Sequence, residues 1–383
     1  MTWTINPTIT IDGIAYVSNA IGAVSIDYGR STVWEPTRAG YCRIQLINTN
    51  NTNYAIDIND PVTVKVRNAT NTADITVFTG NVTSVDNQGG VSTATSNIAY
   101  VTVTAVAPLT QLSRTQVGLI EYPQENESQR ITRILNETSI TKDTIDSGTY
   151  TLIARPANPN DALTLTNAYA NTATGAMYET QAGAVGYANE NRRNQDAILN
   201  GYYSISPSYI VANTFKSNLS QGDVINSAKI KYNGSNYVTV TSSGSTSNYG
   251  TIAATLDTDI ATEADATILA NIYIGMRAYP KTSMSSVEVR IDDPDMDATT
   301  LNKMLNIYFG LPVQIVGLPA TVSAGTYYGF VEGWNLAFSQ LSARITLRTT
   351  EKTYSYRFTQ WEDVSAVLQW NAVGATLTWL TYE

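Results

Sequence analysis

Histidine is absent from all 383 residues. Its absence removes Ser-His-Asp and Cys-His mechanisms, imidazole metal ligands and the commonest general base together. One cysteine, Cys42, excludes an intrachain disulfide and any cysteine-rich zinc site, and leaves a small apolar side chain expected in the core. Charge is scarce as well, at 14% of residues, so Thr, Asn, Ser and Tyr must supply the polar surface. Lys and Arg number 23 against 32 Asp and Glu, a net charge of −9, and no basic run is present. That balance argues against a surface that grips nucleic acid, because phosphate binding depends on clustered cations. No apolar run approaches the ~20 residues that span a bilayer, and MTWTINPTIT lacks the basic and apolar regions of a signal peptide. The expectation is a chain that stays in the cytoplasm and does not insert into a membrane.

What is present favours β structure. Hydrophobic residues make up 43% of the chain and tyrosine alone contributes 24 residues. Thr and Tyr suit a pleated surface, whereas helices prefer Glu, Lys and Ala. The length suggests two to four units at a prior of roughly 100–200 residues each. To about residue 115 short alternating segments are broken by turns: Val24 to Tyr28, Tyr41 to Asn48, Pro61 to Arg67, Ile75 to Val85 and Ala99 to Val106. Strands at this spacing imply a small barrel or sandwich.

After Pro123 the periodicity changes. Ile131, Ile134 and Leu135 give Glu127 to Asn136 the stripe of a short amphipathic helix. A second helix starts at Asp161, which can cap it, and ends at Gly175. The hairpin Met177 to Tyr187 follows, turning at Gly183. Strands return from Tyr203, with Ser242 to Asn248 rich in turn residues. A third helix spans roughly Glu263 to Met276, and Asp297 can cap a short helix through Leu305. Pro312 to Val316, Tyr327 to Leu336 and Ala343 to Arg348 form a second strand set.

Two repeats stand out. Pro61-Val-Thr-Val-Lys-Val precedes Phe78-Thr-Gly80, and Pro312-Val-Gln-Ile-Val precedes Val331-Glu-Gly333, with Pro-to-Gly separations of 19 and 21. Either common strand residues coincide, or the chain carries two copies of one barrel. Trp361, Trp370 and Trp379 recur every nine residues. Regular large aromatics can anchor a tail on a neighbouring subunit or pack it on its own chain.

Chemistry is sparse. Asp292, Asp293, Asp295 and Asp297 form the densest acidic cluster, a weak candidate for calcium that lacks the Gly and terminal Glu of an EF-hand loop. The simpler reading is a solvated turn whose Asp297 caps the next helix. No phosphate-binding loop or dinucleotide fingerprint occurs, so no cofactor and no catalytic residue is expected. Paired carboxylates could still support glycoside hydrolysis without histidine, which keeps a carbohydrate-binding protein or glycosidase as an alternative.

In order, these segments resemble the baseplate hub, or tail-hub minor tail protein, family of tailed bacteriophages. Ser25-Ile-Asp-Tyr-Gly-Arg30, Gly40-Tyr-Cys-Arg-Ile-Gln-Leu-Ile-Asn48, Pro61-Val-Thr-Val and Val77-Phe-Thr-Gly-Asn-Val82 are similar to its opening barrel. Val101-Thr-Val-Thr-Ala-Val-Ala-Pro-Leu-Thr-Gln-Leu112 resembles the strand and short helix that leave it. Phe330-Val-Glu-Gly-Trp334 and the closing Trp361-Glu-Asp-Val and Trp370-Asn-Ala-Val units complete the order.

The resemblance implies a mainly β fold with a smaller α+β part. It places a first tube-type β-barrel at 1–115 and an inserted α+β peripheral domain at 116–204 plus 236–305. A second tube-type barrel falls at 205–235 plus 306–356, and a tryptophan-repeat tail at 357–383. It further implies a non-enzymatic homotrimeric ring at the virion tail tip, assembled in the host cytoplasm. Implied partners are a distal tail protein or tail tube ring, the tape measure protein and downstream tip, spike or fibre proteins. DNA would pass without specific binding through a lumen whose wall is expected to be acidic. A distal tail or fibre-adaptor protein of the same particle is the nearer alternative.

Overall fold

Alternation builds the first strand set. In Pro61–Arg67 the side chains of Val62, Val64 and Val66 are fully buried while their neighbours are not, the period of a half-buried strand. The structure, a computed structural model, describes residues 3–48, 54–89, 99–211, 214–215, 217–219, 221–284, 286–318, 325–340 and 342–354. It opens with seven strands: β1 (Thr8–Ile11), β2 (Ile14–Val17), β3 (Ile21–Gly29), β4 (Arg38–Asn48), β5 (Pro61–Arg67), β6 (Asp74–Gly89) and β7 (Ala99–Val106). The five expected from sequence are all present. The hairpin β1–β2 was missed because its strands are only four residues long and Ile14 and Val17 point outward.

A mixed region follows, with α1 (Leu109–Arg114), β8 (Gln116–Val117), β9 (Glu125–Asn126), α2 (Glu127–Asn136), β10 (Lys142–Ile145), β11 (Thr151–Leu152), β12 (Asn160–Asp161) and α3 (Ala162–Thr172). A capping box starts α2, where Asn126 Oδ1 accepts from Gln129 N and Gln129 Oε1 accepts from Asn126 N. Asp161 caps α3 through Thr164 N. Then come the hairpin β13 (Ala176–Glu179) and β14 (Val185–Ala188), α4 (Arg192–Asn200) and β15 (Tyr203–Ile205). α1 to α3 and the hairpin enclose one core around Leu112, Ile131, Ile134, Leu165 and Met177.

The remaining elements are β16 (Ser217–Leu219), β17 (Ser227–Tyr232), β18 (Asn236–Thr241), α5 (Ser243–Tyr249), β19 (Ala253–Leu256), α6 (Glu263–Arg277), β20 (Thr282–Met284), β21 (Val287–Arg290), α7 (Ala298–Leu305), β22 (Pro312–Val316), β23 (Thr326–Ser339) and β24 (Ala343–Glu351). β17 pairs with β18 and β19, and α6 covers the three with Leu269, Ala270 and Tyr273 to form another core.

These pairings shift the domain boundaries expected from sequence. β17, expected with the second strand set, sits instead with α6, because Ala228 and Ile230 bury against that helix. β21, expected in the insertion, pairs with β24 of the large sheet.

That large sheet runs β15-β22-β23-β3-β4-β7-β6-β5-β1-β2, with β24 beside β23 and β21 beside β24. The fold is therefore mainly β with several helices. Two separate closed barrels are not what the described residues form: both strand sets lie in one open sheet. The cause is the length of β23, 14 residues, whose later half pairs with β3 while it also pairs with β22 and β24.

Candidate functional site

The junction of β3 with β23 joins the two halves of the chain, and its backbone is built for close approach. Gly29 faces Gly333, and the pairing continues through Tyr28 opposite Trp334 to Ala23 opposite Ser339. At Gly29, with φ of +84°, an added Cβ would lie 2.2 Å from the Glu332 carbonyl oxygen; at Gly333 it would lie 2.5 Å from that of Tyr28. Only glycine tolerates either contact, and the first also needs the left-handed conformation.

Gly333 was singled out by the repeat. So was Gly80, where a Cβ would meet the Val106 carbonyl oxygen at 2.2 Å. Pro61 stands opposite Asn81 and Gly80 opposite Val62, whereas Pro312 stands opposite Phe330 and Gly333 lies three residues beyond it. Each half thus contains a Pro-headed strand, a Gly-bearing strand and a third antiparallel strand, β5-β6-β7 and β22-β23-β24, with different registers at the glycines.

Beneath the seam lies a buried ion triad. The sequence offers it as ordinary charges far apart: Arg30 after β3, Arg193 in α4 and Glu332 in β23. Arg30 Nε meets Glu332 Oε2 at 2.7 Å and Arg193 Nη2 meets Oε1 at 2.8 Å, with every side chain at or below 5% exposure. Phe309 lies under both guanidiniums, 5.4 Å from each to the ring centroid. Burial pushes the Glu332 carboxyl up, but Arg193 and Arg30 more than offset this and hold it below the usual range.

Arg348 of β24 clamps the same seam from the other side. It forks onto the Asp27 carboxylate at 2.8 and 3.0 Å and donates to the carbonyls of Tyr28 and Arg30. Trp334 packs on Tyr28, and Tyr28 on Phe78.

The open face of the sheet crosses the seam without a break. One row reads Arg290, Arg344, Ala337, Ser25, Arg43, Thr104, and the next Ser339, Ala23, Gln45, Thr102, Asp86. Small side chains at the centre leave a groove of about 410 Å³ between Arg43 and Arg344. Charge on this face is mixed. Asp27 is neutralised by Arg348 and Glu288 by Arg344, while Arg43 pairs with no carboxylate among the described residues.

Glu179, on β13, ties the mixed region to the first strand set. Its buried carboxylate accepts the Gly40 N–H at 2.6 Å and the Leu109 N–H at 2.5 Å. Burial drives its pKa up to about 7 even though both backbone donors oppose the shift.

Of the acidic loop, Asp297 caps α7 through Thr300 N at 2.8 Å, Asp293 accepts from Asp295 N, and Asp292 lies 3.6 Å from Arg290. Among the described residues no group of three or more His, Cys, Asp or Glu side chains is placed to hold a metal ion. Trp361, Trp370 and Trp379 lie outside the described residues. Sequence reasoning missed the triad, since nothing local marks Arg193 or Glu332. The one available signal was unexplained charge within apolar segments such as Phe330-Val-Glu-Gly-Trp334.

No family model and no curated protein matches this sequence. Solved structures do match in fold. The 43 kDa tail protein of prophage MuSo2 from Shewanella oneidensis superposes with a TM-score of 0.64 at 10% identity, over 92% of this chain and 100% of that one. A tail protein from Neisseria meningitidis MC58 gives 0.63 at 9% identity, over 92% and 99%. The Escherichia coli c3393 protein gives 0.51 at 10% identity, over 91% and 78%; it is described as a component of the type VI secretion system with structural similarity to the T4 tail proteins gp27 and gp5. The chain shares its fold with tail proteins of phages and prophages.

Proposed function

We propose that this chain is a non-enzymatic structural hub of a phage tail tip, working as a homotrimeric ring that joins a sixfold tail tube or distal tail ring to a threefold tip. The observation that carries this reading is the seam. Two three-stranded units of one chain are welded edge to edge into a continuous sheet by β3 and β23, so three chains about an axis would present six such units. The shared fold with tail proteins supports it over nearly the whole length.

In this mechanism each subunit's tube-type units close only in the ring. Permanent interfaces commonly exceed ~2,000 Å², and the exposed Ile14 and Val17 of edge strand β2 suit burial against a neighbour. The polar open face, with small hydroxyl and alanine side chains at its centre, would line the passage for tape measure protein and DNA. Balanced charge lets a polyanion slide without binding. The Glu332 triad and the Arg348 clamp would keep the two units from separating under load.

Native mass measurement and imaging of intact particles test the proposal. Three copies around a threefold axis at the tip are expected. Six copies would instead make the chain a distal tail or fibre-adaptor protein, and a stable monomer with no higher species would refute the ring.

A further inference from the structure

The sheet beneath α6 has an open edge. Its three strands run β18-β17-β19, so β18 meets β17 on one side and, among the described residues, no strand on the other. Ser242 N donates to the Asn226 carbonyl at 2.9 Å, and Ser227 stands opposite Thr241. In an antiparallel pair the bonded residues alternate. The backbone groups of Val238 and Val240 therefore turn towards β17, and those of Tyr237, Thr239 and Thr241 turn outward.

Folded chains usually blunt such an edge with Lys, Pro, a bulge or a short strand. β18 carries none of these. It runs six residues as Asn-Tyr-Val-Thr-Val-Thr, and its register with β17 continues without a shift. Other strands at sheet ends are shorter or charged: β2 and β19 have four residues, β15 has three, and β10 begins Lys142-Asp143. Tyr237, Thr239 and Thr241 are exposed, while Val238 and Val240 reach the core beneath α6 only in part.

We infer that β18 pairs antiparallel with β18 of a second copy of this chain, about a twofold axis at Thr239. The strand is complementary to itself in that register. Val238-Thr239-Val240 reads alike in both directions, so Thr239 meets its own copy, Val238 meets the partner's Val240, and Tyr237 meets the partner's Thr241. Every outward N–H then finds a C=O across the axis. Valines face valines on the helix side, and threonine faces threonine or tyrosine on the open side, pairs that favour a sheet. Neither strand carries a charge. Lys229 and Lys231 of the two copies stay about 14 Å apart across three strand spacings, beyond the ~8 Å screening length. One strand pair is small beside the ~1,200 Å² at which stable interfaces begin, so the association is reversible. Its twofold symmetry sets it apart from a threefold ring: it joins free chains or separate rings, and it does not rest on the hub reading.

Sedimentation of the full chain across a dilution series, with Thr239→Lys beside the parent, tests the pairing. The parent is expected to double in mass reversibly as concentration rises. T239K should weaken that step by about tenfold or more, because it sets like charges face to face at the axis. A ring, where one forms, should survive T239K, so failure of the ring and failure of this contact are read separately. Thr239→Cys gives a second readout: Cα atoms of a bonded antiparallel pair lie ~5.5 Å apart, within disulfide range, and the native Cys42 is buried. On mild oxidation T239C should form a covalent dimer faster than K229C, whose exposed position lies one strand in from the edge. Equal self-association of parent and T239K, or crosslinking of T239C no faster than of K229C, would overturn the inference. So would protection of the Tyr237, Thr239 and Thr241 amides by another protein but not by more of this chain, which would assign the edge to a foreign strand.

Discussion

At the scale of single residues, the seam depends on groups whose replacement has a direction set by geometry. Removing the Glu332 charge leaves two buried guanidiniums without a counterion, and breaking a buried pair from one side costs about 3–5 kcal/mol. Glu332→Gln should therefore lower the urea midpoint strongly, with an unchanged slope if the denatured state is unaffected. Gly29→Ala is expected to destabilise by more than about 1 kcal/mol, since its Cβ would overlap the Glu332 carbonyl oxygen and its φ is positive. A melting temperature equal to that of the parent would contradict both the close approach and the strain. Gly80 and Gly333 were visible in the sequence as repeat positions. Their shared property, a neighbouring strand too close for a Cβ, depends on partners that are distant in the chain.

At the scale of elements, Glu179 makes the docking of the β13–β14 hairpin on β4 and α1 sensitive to pH. Its pKa is about 7 in the fold against an ordinary 4.5, so between these values the folded chain binds more protons than the unfolded one. Stability from this group is full below about 4.5 and is lost as pH rises through about 7, a change of roughly 3 kcal/mol. Denaturant titrations at stepped pH should show that decline, and Glu179→Gln should flatten it.

Helices were legible where an apolar stripe or cap marked them, as at α2, α3, α6 and α7. α4 and α5 were not. α4 buries only Arg193, Ala197 and Ile198 and is held by the ion triad. α5 buries only Ser245 and is held by Asn226, whose side chain donates to Ser245 Oγ at 3.2 Å and to the Gly250 carbonyl at 2.7 Å. Asn226→Leu should cost about 1–3 kcal/mol and speed hydrogen exchange across 243–250; protection unchanged there would show that α5 stands without it.

At the scale of the whole molecule, the order of strands makes the middle of the large sheet the last part to open. β3 and β23 are paired on both sides along most of their length, whereas β2 and β15 lie at the ends of the strand order. Amides of β3 and β23 should exchange together at the slowest rates, and those of β1 and β2 faster. Exchange of β3 well ahead of β23 would mean that the two strand sets open independently and that the seam does not weld them.

The sequence by itself determined the strand-rich class, the positions of the main strands and the capped helices, because period-two burial and N-caps are local properties read within a few residues. It also excluded histidine-dependent catalysis, intrachain disulfides and cysteine-rich metal sites by composition alone. The tertiary structure decided how those pieces join: that β17 lies with α6, that β21 joins β24, and that both strand sets form one open sheet through β3 and β23. These outcomes depend on pairings and on a buried ion triad between residues up to 302 positions apart, and no local pattern encodes a contact whose energy exists only once the chain has closed on itself.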